Sequence, residues 1–357
     1  MSIGFERLTK IMGSWKHDLE PSPPIENEEP KGLLYHYTTP EGLLGILKSG
    51  SIRATHVRYL NDQTELRNAL SSEFENLMLN TMFPAADEEQ RKNLHDLKRR
   101  DEETQEEEVF VASFTDDGVV QGAEGCTPGD RLSQWRAYSN QAGGFSLAFD
   151  SKQLMAPWKS KAPLGAYRSS LLRCKYGADE KRDAAERVGK WGLGLVQRVH
   201  ESQLDHFRGK VGVDPDPGDL RMLEFGSDAY AWGAANAVYF SSEAARFKDE
   251  AFSEEREWRF VLHARRSELL DAHHTDPGSP VIHFRNGRFG LTPYMEIPLR
   301  LSSDESPLRR VVTGPSQQGE EAVAGVRLLL ESMGIKLGTQ ASAKCVEVVQ
   351  SRTPYRI

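Results

Sequence analysis

The chain has 357 residues, 38% of them hydrophobic, and a formal net charge of −8. It holds enough apolar material for one large core. Its acidic balance argues against an electrostatic grip on long stretches of nucleic acid, although a local basic patch is compatible with it. No apolar run is long enough to cross a bilayer, and the first residues carry no signal-peptide segment, so the expectation is a cytoplasmic protein with no membrane partner.

Residues 1–20 have the spacing of a short amphipathic helix, and PSPPIENEEP at 21–30 reads as a linker. The division expected is therefore 1–30 as tail and linker and 31–357 as a single catalytic-type domain. LLYHY at 33–37 is a buried strand in which Leu34 and His36 point one way and Tyr35 and Tyr37 the other. A helix follows, with Thr38 and Thr39 as candidate caps, Glu41 completing a box from Thr38, and Gly50 as the stop. Residues 52–57 form a second strand, and Asp62 with Glu65 opens another helix.

A charged helix or loop spans roughly 86–108, and VFVASF at 109–114 is a strand. A glycine-rich loop covers 116–130. LSQWRAYS is a short helix, and GGFSLAF and LLRCKY are strands. From 178 to about 246 the pattern is helical, broken near 213–219, and reads as a helical insertion. EWRFVLHA, VIHF and YMEIPL return to strand. The end reads strand, helix, strand. Strands separated by helices without strict alternation predict an α+β fold with a mixed, mainly antiparallel sheet core. Cys126, Cys174 and Cys345 are scattered and suit neither a disulfide framework nor a zinc site.

Three groups of residues carry chemical promise. His36 stands at the carboxyl end of a strand beside a helix N-terminus, where ligands bind in open sheets; a structural histidine bonded to a carbonyl is the plainer account. Glu255 and Glu257 share one face of a strand, so they can hold a ligand hydroxyl or orient a nucleophile, with Trp258 and Phe260 toward the core. A charged edge strand is the competing account. Ser113, Thr115, Gln134, Trp135 and Tyr138 can line a pocket, and Arg53 and Arg58 can meet phosphates. Lys248 and Asp249 are weaker candidates for the acidic site.

YHYTTPEGLLGILKSGSIRAT, RYLND-x-x-E, SFT with LSQWRAYS and GGFSLAF, the EREWR block, and VVTGP with VEVVQSRTPYR together resemble a bacterial family known as domain of unknown function 2971, over about residues 33–357. More distantly, His36-x-Thr38 followed by Ile46-Leu47-x-x-Gly50 is similar to the opening of ADP-ribosyltransferases of the histidine-tyrosine-glutamate type. That resemblance implies an ADP-ribosyltransferase-like sheet core with NAD as cofactor. His36 would hold the cofactor, with Thr38 and Arg53 beside it, and Glu257 would be the catalytic carboxylate with Glu255 preceding it. The middle position is open between Tyr59, Tyr138 and the pair Ser113 and Thr115. Tyr37 stands where the family has glycine.

The resemblance implies a toxin or phage-defence effector that modifies a protein or nucleic acid, with a possible neutralising partner. Two rivals are a metal-dependent nuclease using Glu255, Glu257, Asp62 and Lys248, and a non-catalytic nucleotide-sensing module.

Overall fold

A computed structural model describes residues 12, 28–30, 32–60, 72–104, 107–116, 129–138, 143–159, 167–238, 243–266, 269–270, 281–287, 290–301, 306–316, 318–339 and 345–353. The chain divides into two compact units. A helical unit comprises 1–26, 64–107 and 177–244, and a sheet unit comprises 27–63, 108–176 and 245–357. The segment expected as a helical insertion thus folds together with residues 64–107. The expected helix over 1–20, the Asp62–Glu65 box and most of the glycine-rich loop lie outside the described residues.

In the sheet unit the strands are β1 (Leu33–Thr38), β2 (Ser51–His56), β3 (Glu107–Asp116), β4 (Phe145–Asp150), β5 (Tyr167–Arg173), β6 (Glu257–Arg265), β7 (His283–Gly287), β8 (Gly290–Pro298), β9 (Leu308–Thr313) and β10 (Glu347–Gln350). They order as β10-β9-β4-β1-β3-β2-β8-β7, with β6 also on β3 and β5 on β6. Strand β3 is the junction. Its Thr115 and Asp116 pair with β1, and its Phe110 and Val111 pair with β2. The β9–β10 pair is parallel, and the other pairings with a described register are antiparallel. The fold is a mixed α+β arrangement around a mostly antiparallel sheet, as the pattern of elements predicts.

Helix α1 (Pro40–Ser49) follows β1 and ends at left-handed Gly50, φ 64°. Its cap is Thr39, whose hydroxyl accepts from the Gly42 N–H at 3.2 Å. The box expected from Thr38 does not form. The Thr38 hydroxyl instead fills the space where a Cβ on residue 42 would sit, so glycine is the residue that fits there.

Alternation along the strands sorts the unit into two cores. Leu34, Phe110, Ala112, Phe114, Leu147, Phe149, Trp258, Phe260, Leu262, Met295 and Ile297 share the large one, which α1 and α8 (Gly319–Ser332) also enter. Tyr35, Tyr37, Trp135, Ala148 and Val312 form a smaller cluster on the reverse side.

The helical unit holds α2 (Ser72–Met82), α3 (Glu88–Thr104), α6 (Ala178–Val211) and α7 (Pro217–Val238). Buried Trp232 on α7 donates through its indole to the Leu94 carbonyl at 3.0 Å. The Ser227 hydroxyl of α7 donates to Gln203 of α6 at 2.9 Å. Helices α4 (Leu132–Tyr138) and α5 (Ser151–Lys159) lie in the sheet unit; α5 carries no signal that the sequence reading used.

Candidate functional site

His36 lies on the large-core side of β1, since its neighbour Leu34 belongs to that core and its ring tilts against Phe114 at 5.7 Å. Its Nδ1 is 3.0 Å from the Ser113 carbonyl. A carbonyl accepts, so Nδ1 carries the proton and Nε2 presents a lone pair. Burial lowers the His36 pKa, and the bond to Ser113 only partly opposes that. The ring is neutral at physiological pH, partly exposed, and its Nε2 has no partner among the described residues.

Glu257 opens β6 and has a different setting. It is 4% exposed. One carboxylate oxygen accepts from Lys248 Nζ at 2.7 Å, and the other accepts from Arg259 Nε at 2.8 Å. Lys248, itself buried, also donates to Glu255 at 2.7 Å. Arg259 reaches the Ala245 carbonyl at 2.7 Å, and the Glu257 N–H donates to the Tyr176 hydroxyl at 2.7 Å. Burial alone would push the Glu257 carboxyl up. The neighbouring Arg259 and Lys248 charges overcome it and hold the carboxyl down at about 2. Burial likewise opposes the Lys248 ammonium, and Glu257 and Glu255 outweigh it, so its pKa rises.

Two carboxylates and two cations therefore meet in one buried cluster. The Lys248 ammonium stands between Glu255 and Glu257, where the nuclease reading would need a divalent cation. Among the described residues no group of three or more His, Cys, Asp or Glu is placed to hold a metal ion. Asp62 lies outside the described residues.

The backbone around this cluster is pinned by a second one. Arg256, between the two glutamates, adopts a left-handed φ of 47°, a conformation that costs a residue with a side chain about 1–3 kcal/mol. Its guanidinium grips Asp116 with two bonds of 2.7 and 3.0 Å, the bidentate geometry that offsets such strain. Asp116 also receives the Trp258 indole at 3.4 Å and lies 3.6 Å from Arg131. Arg131 donates onward to the Glu254 carbonyl at 2.6 Å, and its N–H donates to the Tyr37 hydroxyl at 3.0 Å.

Next along the chain, buried Asp130 accepts from the Trp135 indole at 2.7 Å, the Arg352 N–H at 2.6 Å and the Thr353 hydroxyl at 2.9 Å, and from Ser351. The segment after β10 is thereby tied to the start of α4. Left-handed Gly129, φ 75°, precedes this hub, and a Cβ there would lie 2.1 Å from the Tyr35 ring. Asp116, Asp130, Arg131, Arg256, Arg259 and Tyr176 were not singled out by sequence reasoning. Their one signal was position: two aspartates bracket the glycine-rich loop, and two arginines flank Glu257.

The structure does not bring all the expected site residues together. Trp258 and Phe260 belong to the large core, so Glu257 and Arg259 point to the other side of β6. His36 faces the large core. Strands β1 and β6 both pair with β3, yet their two site residues look toward opposite faces. The expectation that imidazole and carboxylate share a cleft is not met by this arrangement: His36 is two positions from core-facing Leu34 and so shares its side, whereas Glu257 is one position from core-facing Trp258 and so takes the other.

Ser113 contributes its carbonyl to His36. Thr115 is buried on the Tyr35 side, its hydroxyl without a partner among the described residues. Thr38 lies over the first turn of α1. Tyr59 sits in a single turn after β2, edge-on to His56 at 5.6 Å, and Tyr138 is an exposed residue at the end of α4. Arg53 lies over the Tyr294 ring on β8.

Residues 134–260 match the family described as Protein of unknown function (DUF2971). The span runs from α4 to Phe260 and contains Lys248, Glu255, Glu257 and Arg259. It is shorter than the 33–357 over which the motifs suggest resemblance. Neither a curated protein nor a solved structure matches the chain.

Proposed function

We propose that the protein binds NAD as an ADP-ribosyltransferase-like protein, through the corner where β1 meets α1. The single observation that carries this reading is His36. Its Nδ1 proton is committed to Ser113, which leaves Nε2 as a fixed acceptor for a ribose hydroxyl. The N-terminal turn of α1, capped by Thr39, stands beside it. NAD would supply the nicotinamide–ribose bond; this chain's part is to orient the ribose and exclude water. On this reading the acceptor is a protein or nucleic acid, and the biological setting is that of a toxin or defence effector with a neutralising partner.

A second reading has its own support. Both oxygens of Glu257 are engaged by Lys248 and Arg259, and the carboxylate faces away from His36. A carboxylate so neutralised is poorly placed to stabilise positive charge on a ribose. This favours a nucleotide-sensing module that binds NAD without turnover.

One set of measurements separates the two. Purified protein is titrated with NAD by calorimetry and thermal shift, and nicotinamide release is followed in parallel. Saturable binding that raises the melting temperature and is lost in His36→Ala supports the shared part of both readings. Nicotinamide release that disappears in a folded Glu257→Gln variant selects the transferase. Binding without release selects the sensor. Absence of binding at millimolar NAD, or binding indifferent to His36→Ala, overturns the proposal.

A further inference from the structure

The chain closes with a strand, a helix and a strand that the NAD reading does not use. Strands β9 and β10 are the parallel pair, and α8 is the helix that connects them. In such units ligands bind beyond the carboxyl ends of the strands, where a helix N-terminus presents its N–H groups.

Alternation and register fix what lies at that end. Val311 and Val348 pair with each other and point into the large core, on the side that α8 covers through Val326 and Leu330. Thr313 and Gln350, two residues further on, also pair with each other and point to that same side. Gly319, the first residue of α8, is buried, and a Cβ on it would overlap the Gln350 amide. The first turn of α8 therefore lies over the Thr313–Gln350 pair.

Thr313 is 1% exposed, and its hydroxyl has no hydrogen-bond partner among the described residues. Leaving a buried hydroxyl so costs about 1–3 kcal/mol. The turn above it is also unsatisfied. Gln318, at the cap, makes no side-chain bond to it. Among the described residues no acceptor meets the N–H groups of Gly319, Glu320 and Glu321. Gln350 is exposed, so the pair opens to solvent on one flank.

We infer that this end of the β9–α8–β10 unit binds a phosphate group. The Thr313 hydroxyl donates from the sheet, the Gln350 amide from the side and the helix N–H groups from above. Donors from three directions suit a tetrahedral anion better than a planar carboxylate, and the helix dipole favours negative charge. Glu320 and Glu321, exposed in the same turn, oppose it and keep the affinity modest. Thr38 pairs with Phe145, and Phe145 with Thr313. The hydroxyl thus stands two strand spacings, about 10 Å, from the corner of β1 and α1. The inference goes beyond the NAD reading, and its test needs no turnover.

Inorganic phosphate is the probe, titrated at constant ionic strength beside acetate and followed by thermal shift and calorimetry. Wild type is expected to saturate, whereas the general stabilisation that phosphate gives by exclusion from protein surfaces does not. Thr313→Val is expected to weaken binding about tenfold, the loss of one bond to a charged group. Its melting temperature without phosphate should stay equal or rise, because a methyl replaces an unpartnered hydroxyl. Thr313→Ser should bind like wild type. Glu320→Gln with Glu321→Gln should tighten binding about threefold. Repeating the titration with NAD present identifies the source. Phosphate displaced by NAD stands for the dinucleotide's own group, and phosphate bound alongside NAD stands for a separate phosphate ester. A chain that binds phosphate but not NAD keeps this inference and loses the other.

No saturation, a Thr313→Val variant that binds like wild type, or acetate that binds as tightly as phosphate overturns the inference. So does a Thr313→Val variant that melts lower without phosphate, which would give the hydroxyl a structural partner.

Discussion

His36 and Glu257 sit on strands that both pair with β3, yet their surroundings differ in kind. Among the described residues the histidine has one hydrogen bond and an unengaged Nε2, and burial lowers its pKa. The glutamate has two cations, a backbone anchor through Tyr176 and 4% exposure. The difference teaches that a residue's charge state does not reveal its task. Glu257 is firmly ionised, as a catalytic carboxylate must be, but the charges that ionise it are the ones that occupy it. His36 is held through Nδ1 alone among the described residues, and that is why the proposed ribose contact is assigned to its Nε2.

The strongest way to break this contrast is to remove one charge from the buried cluster. Lys248→Met removes the cation that both Glu257 and Glu255 contact, and is expected to lower unfolding stability by about 3–5 kcal/mol in urea titration. A loss below about 1 kcal/mol would show that the cluster is not structural and that Glu257 is available for chemistry.

The same cluster predicts an acid limb of stability. The folded Glu257 carboxyl is held at about 2 against an ordinary 4.5. A depressed carboxyl stabilises the fold above its unfolded value, and that stability is lost as pH falls from about 4.5 toward 2. The urea midpoint should fall across that window in wild type, and Glu257→Gln should remove this component of the slope.

Intermediate effects sharpen the contrast from the reverse face. Asp130→Ala strips the acceptor from the Trp135 indole, the Arg352 N–H and the Thr353 hydroxyl. It should cost about 3 kcal/mol and speed proteolysis at the C-terminal segment. Gly129→Ala puts a methyl into the Tyr35 ring at a left-handed φ, and about 2 kcal/mol of destabilisation by thermal melts is expected. The smallest stability effect belongs to His36→Ala, expected at about 1 kcal/mol because a single bond to Ser113 and one ring contact are lost. Its effect on NAD binding should exceed its effect on stability. If the order of His36 and Lys248 were reversed, the division between a ligand-facing and a structural residue would fail.

Much of the element order is legible in the residues. LLYHY, VFVASF and EWRFVLHA alternate as strands, and the break near 213–219 separates α6 from α7 because a Pro-Asp-Pro-Gly run cannot continue a helix. Trp258 and Phe260 face the core as their spacing predicts. The Thr38 box failed because Thr39 had equal claim to the cap, and only the path of β1 into α1 decided between them. Helix α5 escaped notice because its apolar residues, Leu154, Met155 and Trp158, are too few to show a period. Asp116, Asp130 and Arg131 form a hub through partners more than a hundred residues away, such as Glu254, Ser351 and Arg256, and no local pattern encodes such pairs.

The sequence by itself determined most of the strands and the longer helices and, inside each strand, which way a side chain points relative to its neighbours, because those depend on periods of 2.0 and 3.6 residues that a long enough stretch carries within itself. Tertiary structure alone decided which face of β3 receives His36 and which receives Glu257, and which cations meet the carboxylate. Those outcomes depend on strand order and register between segments distant along the chain, where a shift of one residue exchanges the two faces of a strand.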